Sequence, residues 1–135
     1  MLRERITRLD AILYTHAHRD HTSGLDDVRA YNFLQKMDMP AYGTEPVLNQ
    51  LRSDFAYIFG KDSYPGLPRV TLHTISHEPF SINGTKITPL PVKHMHLPVM
   101  GFRINNFSYI TDANFISDET AALLDGTEIL VLNAL

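Results

Sequence analysis

Residues 16–21 read His16-Ala17-His18-Arg19-Asp20-His21 and follow directly on the apolar run Ala11-Ile12-Leu13-Tyr14-Thr15. A short apolar run of this kind is a buried strand. The fold must therefore carry three imidazoles and a carboxylate at the end of a buried strand. His16 and His18, two apart on an extended exit, aim their rings to the same side. Asp20 and His21 then turn into a helix start and face a second position nearby. Neutral imidazole with carboxylate suits zinc, iron, nickel or manganese. A solvated polar loop is the bland alternative, and three imidazoles within six residues argue against it.

One turn supplies too few ligands to close two sites, so distant donors are required. His94 ends the run Ile87-Thr-Pro-Leu-Pro-Val-Lys-His94, and Asp112 ends Phe107-Ser-Tyr-Ile-Thr-Asp112. A carboxylate at the mouth of a buried strand is costly unless it meets a cation or hydrogen-bond donors. A helix or turn cap is the competing role for Asp112. Spacing alone leaves His94 and His96 both open. His73 and His77 carry no partner pattern and read as strand or surface histidines.

The 135 residues amount to one domain, or part of one, with 44% apolar and 20% charged residues. That composition excludes a disordered, collagenous or coiled-coil chain. No apolar run reaches the ~18–20 residues of a membrane span, and no apolar signal segment follows Met1-Leu-Arg-Glu-Arg5. There is no cysteine, which excludes disulfides, thiolate zinc sites and cysteine nucleophiles and accords with a cytoplasmic setting. The net charge is −3 and the basic residues are scattered, so a nucleic-acid polymer is not the expected partner. Beyond Arg103 there is no Lys or Arg, whereas Asp112, Asp118, Glu119, Asp125 and Glu128 all occur. A cation near Asp112 would relieve part of that imbalance; the other acids read as a solvated face.

Strand and helix signals alternate along the chain without linker or repeat. Ser23-Gly-Leu-Asp26 has capping-box spacing and predicts a helix start, with Leu25, Val28, Tyr31 and Leu34 as its buried face. Residues 39–42 form a short strand. Thr44, Pro46 and Gly60 bracket a second helix with Val47, Leu51, Phe55 and Ile58 on its apolar side. Residues 61–68 are a loop and 70–75 a strand. Asn83-Gly84 and Asn105-Asn106 each centre a hairpin. Pro89 and Pro91 lack donors on the same side of one strand, which predicts an edge there, or weak pairing on that side. Ser117 caps a short helix that ends before Gly126, and residues 128–132 form a last buried strand. Leu2–Leu9 reads as the tail of a helix. Both chain ends look cut, as in a fragment of a larger domain.

His16-x-His18-x-Asp20-His21 after an apolar strand, a later isolated histidine, and Tyr109-Ile-Thr-Asp112 together resemble the metallo-β-lactamase superfamily. Residues 87–101 and Gly101-Phe-Arg-Ile104 are similar to its nuclease and phosphodiesterase branch. Leu25-Asp-Asp-Val-Arg29 and Thr88-Pro-Leu-Pro-Val-Lys-His94 resemble the cyclic-phosphate phosphodiesterases accessory to carbon–phosphorus lyase. The resemblance implies an α/β (α+β) fold over residues 1–135, a partial αββα sandwich without its opening strands and C-terminal part. It implies two divalent ions, zinc or manganese, with iron or nickel as alternatives. His16, His18 and His94 would bind the first and Asp20 and His21 the second, with Asp112 bridging. His94 is favoured over His96 because the family's histidine follows such a Pro-Leu-Pro strand. The late histidine and the cysteine-bearing N-terminal region of the relatives have no counterpart here.

The implied activity is hydrolysis of a small phosphodiester or cyclic phosphate by a hydroxide held between the metals, with Asp20 and Asp112 as catalytic carboxylates. His96 or a residue outside these 135 would protonate the leaving oxygen. Three donors for the second ion predict weak or absent turnover by this chain alone. Rival readings are a lactonase or thioester hydrolase on the same scaffold and a non-catalytic remnant that binds metal or a partner protein. Transfer-RNA processing is a weaker one. A homo-oligomer is compatible with the sequence.

Overall fold

The computed structural model describes residues 4–60 and 64–133, in two compact units, Met1–Ile75 and Ser76–Leu135. Each has its own sheet. The chain is a mixed α/β protein. Among the described residues no helix is long and apolar enough to cross a membrane.

In the first unit, β1 (Ile12–Leu13), β2 (Met39–Gly43) and β3 (Val70–Thr74) form a parallel sheet with β2 central. Tyr14 N–H donates to Tyr42 O at 2.8 Å and prolongs the β1–β2 pairing past Leu13. Met39 and Ala41 on β2 are fully buried among Tyr14, Leu25, Val28, Tyr31, Leu48 and Leu51. The helices supplying that cover are α2 (Val28–Gln35) and α3 (Glu45–Asp54). Two helical expectations are corrected. The helix opens not at Ser23 but four residues earlier, as α1 (Arg19–Thr22), and continues through a 3-10 turn, Ser23–Asp27, into α2. Ser23 has helical dihedrals and its N–H donates to Arg19 O, so it prolongs a helix rather than starting one. Leu34 is exposed, and Asn32 is buried in its place. A strict three-residue repeat drifts about 60° per step around a 3.6-residue helix, so by Leu34 the stripe has rotated off the core.

The second predicted helix breaks at Phe55, which leaves helical dihedrals between α3 and α4 (Ala56–Phe59). Residues 6–11 have no regular structure, so the predicted N-terminal helix tail is absent among the described residues. Residues 2 and 3 of that segment and 61–63 of the predicted loop lie outside them.

In the second unit, β4 (Phe80–Ile82), β5 (Thr85–His94), β6 (Leu97–Ile104) and β7 (Phe107–Ile110) run antiparallel in order. β8 (Phe115–Ile116) pairs with β5, α5 (Asp118–Ala122) follows, and β9 (Ile129–Leu132) joins β7 in parallel at the sheet edge. Both predicted hairpins form. Asn83 and Gly84 both take positive φ (49° and 81°), as a two-residue turn with matching twist requires. The prolines do not mark an outer edge. β5 is internal, and its ladder with β6 runs through Pro89 and Pro91. On its other flank β4 pairs only up to Ile87 and β8 only from Val92. The weaker expectation of poor pairing on one side therefore holds. Thr120 Oγ1 donates to Pro91 O at 2.6 Å in that gap. β9 corrects another expectation: all four of its residues are exposed. Among the described residues it has one strand partner and, at the edge, its apolar side chains gain little cover.

Candidate metal centre

The first unit gathers its imidazoles from one turn. Leaving β1, the chain buries Tyr14, Thr15 and His16, the last only 1% exposed. Thr15 Oγ1 lies 3.0 Å from His16 Nδ1, and His16 Nε2 lies 3.1 Å from His18 Nδ1. The His21 ring centroid is 4.3 Å from that of His16 and the His18 centroid 4.6 Å. His18 is the extended residue just before α1, which sets Asp20 and His21 in the first helical turn. His21 N–H and Thr22 Oγ1 both donate to His18 O, at 3.0 and 3.2 Å, and lock the turn. Asp20 Oδ2 stands 3.4 Å from His21 Nε2, with the carboxylate largely exposed.

This geometry passes a test for a cation. Two ring nitrogens bound at about 2.0–2.1 Å to a tetrahedral ion stand about 3.3–3.4 Å apart, close to the 3.1 Å between His16 and His18. When Nδ1–H of His16 donates to the Thr15 hydroxyl, Nε2 presents its lone pair. A partner on the far nitrogen is how ligand imidazoles are oriented.

The second unit assembles its donors from strand ends. β5, β7 and β9 run in one direction, so their C-terminal ends share one end of the sheet. His94 ends β5, Asp112 lies two residues past β7, and Asn133 follows β9. Asn114 ties the Asp112 loop to the His94 turn: its N–H donates to Lys93 O and its Oδ1 accepts from Met95 N–H, both at 2.9 Å. Asp112 has φ of 55°, a left-handed conformation that Asp tolerates better than most residues. Its Oδ1 accepts from Thr111 Oγ1 at 3.0 Å and from Asn133 Nδ2 at 3.3 Å. His96 sits exposed in the turn after His94. His73 stacks on Tyr42, its registered partner on β2, at 4.7 Å.

The structure thus brings His16, His18, Asp20 and His21 together in one unit, and places His94 and Asp112 at the same end of the sheet in the other. Sequence reasoning missed Thr15, Asn114 and Asn133. Thr15 had a local signal, adjacency to His16. The two asparagines had none, since their partners are distant in sequence. An open cavity of about 520 Å³ lined by Asp26, Arg29, Tyr57, Tyr64 and Leu67 includes none of the predicted ligands.

Residues 1–135 match the model of the beta-lactamase superfamily domain, and the chain belongs to that family. A solved diphosphatase of the PhnP family is 37% identical with a TM-score of 0.84, over 96% of this chain and 48% of that one. Zn(2+)-bound PqqB from Methylobacterium extorquens matches with a TM-score of 0.67 at 18% identity, over 92% of this chain and 45% of that one, a likeness of fold alone. Among curated proteins, an octanoyltransferase of Porphyromonas gingivalis (strain ATCC BAA-308 / W83) is 34% identical over 131 residues. Those residues are 96% of this chain and 26% of that protein. The chain therefore spans about half the length of the solved relatives and a quarter of the curated one. The fold is one that implies divalent metals, in keeping with the imidazole geometry.

Proposed function

We propose that this chain carries the metal-binding core of a hydrolase for a small phosphodiester or cyclic phosphate. The observation that supports it most is the His16–His18 nitrogen pair at 3.1 Å, backed by Thr15. The 37% identity to a diphosphatase favours phosphorus as the electrophile. In this reading His16, His18 and His94 would hold one divalent ion, zinc or manganese, Asp20 and His21 would hold a second, and Asp112 would be a ligand shared by the two. Bound ions would supply acidified water and polarised phosphoryl oxygens. The carboxylates of Asp20 and Asp112 accept hydrogen bonds from the attacking water and orient it in line with the leaving oxygen. No side-chain nucleophile is needed, which suits a sequence without cysteine. The partner is a small molecule, not a nucleic-acid polymer. The 135 residues alone turn over weakly, because three donors are assigned to the second ion.

A second reading is hydrolysis of a thioester or lactone at the same residues. The curated relative's name, octanoyltransferase, favours it, since acyl transfer attacks a carbonyl. The test adds zinc or manganese and compares an activated phosphodiester with an acyl thioester. Metal-dependent phosphodiester hydrolysis abolished by Asp112→Ala supports the first reading. Turnover confined to the thioester replaces it with the second. Rapid phosphodiester turnover by the 135-residue chain would overturn the assigned shortage of ligands.

A further inference from the structure

Asn133 is an oddity of the second unit. Its Nδ2 donates to Asp112 Oδ1 at 3.3 Å, while its own Oδ1 is buried with no hydrogen-bond partner among the described residues. A buried carbonyl without a donor costs free energy. Turning the amide over would seek a donor for that oxygen but set it against the Asp112 carboxylate. The orientation is therefore chosen by Asp112, at the expense of Asn133's other end. The backbone agrees: Asn133 N–H donates to Ile110 O at 3.3 Å, one step beyond the Ile110–Leu132 register of β7 and β9. Asn133 thus sits beside Asp112 because two parallel strands end together.

We propose that Asn133 is a positioning residue that fixes the Asp112 carboxylate for metal binding and couples β9 to the site. The proposal rests on the metal reading above. Thr111 donates to the same oxygen, but it precedes Asp112 in the chain and cannot report on another strand. Asn133 directly follows β9, an edge strand with exposed apolar residues and, among the described residues, a single strand partner. Linkage is reciprocal: if β9 orders Asp112, then metal at Asp112 must order β9.

The test measures zinc affinity of the full chain against a competing chromophoric chelator, with amide hydrogen exchange along Ile129–Leu132. Asn133→Ala is expected to weaken zinc binding 10–100-fold, the usual scale for a partner that orients a metal ligand. Zinc is expected to slow exchange in β9 of the wild-type chain, and this protection is expected to vanish in the variant. Should Asn133→Ala fail to fold, Asn133→Leu approximates the shape, removes the donor without adding charge, and is expected to bind zinc at least as weakly. Affinity within twofold of wild type for these variants, with Asp112→Ala clearly weakened, overturns the role of Asn133 and leaves the metal reading intact. A lowered melting temperature of the metal-free variant with unchanged zinc affinity marks a merely structural role and also overturns it. Unchanged affinity in Asp112→Ala defeats the metal reading itself, and the proposal with it.

Discussion

Residues 1–75 collect their metal-type donors from one turn, whereas residues 76–135 collect theirs from three strand ends. In the first unit, His16, His18 and His21 lie within six positions and are held by bonds to neighbours no more than four residues away. In the second, Asn133 bonds to Asp112 across 21 residues, and Met95, next to His94, bonds to Asn114 across 19. The cores differ likewise. Among the described residues, ten buried ones, Met39 and Ala41 of β2 included, form the first core, whereas four, Leu90, Val92, Val99 and Ile110, form the cluster of the second sheet. A donor set encoded within one turn depends less on sheet register than one assembled from strand ends.

The largest expected contrast is in the cores. Leu51→Ala in the first unit should cost about 2–5 kcal/mol, whereas Leu130→Ala on the exposed β9 should stay within about 0.5 kcal/mol. Denaturant unfolding measures both, and equal costs would break the comparison. Next comes Gly101→Ala. A Cβ there would lie 2.9 Å from both Tyr109 O and Ile110 Cγ1. We expect a loss of about 1–3 kcal/mol from overpacking, with weakened zinc binding because Ile110 leads into Asp112. An unshifted zinc affinity would show that the donors of the second unit tolerate sheet distortion.

Thr15→Val keeps the shape beside His16 and removes the hydroxyl on Nδ1. Zinc affinity should fall by about tenfold, with a stability change of about 1 kcal/mol; chelator competition and melting curves check the two separately. The smallest effect is alkaline. Burial pushes the Tyr14 phenol up to about 12, so the folded chain favours the neutral form. Its contribution is full below pH 10 and is lost as pH rises through 12. Tyr14→Phe should flatten that part of the stability–pH curve, and an unaltered curve would remove Tyr14 as the cause.

Legibility in the sequence followed the same division. The strand before His16 and the turn itself were readable because a strand exit and a helix start are local events. Both hairpins were readable because Asn83-Gly84 and Asn105-Asn106 answer to backbone dihedrals within the turn. Errors arose where a neighbour decides. Leu34 and Ser23 have the right chemistry for a core face and a cap, but the helix begins at Arg19 and its phase shifts accordingly. β9 has the composition of a buried strand, yet cover is a property of what packs on it. Pro89 and Pro91 were tolerated inside the sheet because β4 stops and β8 starts on either side of them.

By itself, the order of residues specified the donor types, the turn presenting His16, His18 and His21, and the strands that lead to His94 and Asp112. Those depend on side-chain chemistry and on dihedral preferences over a few residues. Tertiary structure alone decided that β5, β7 and β9 point the same way, that Asn114 clasps the His94 turn, and that Asn133 abuts Asp112. Parallel pairing across some twenty residues selects such neighbours, and no local preference encodes which strand will lie next to which.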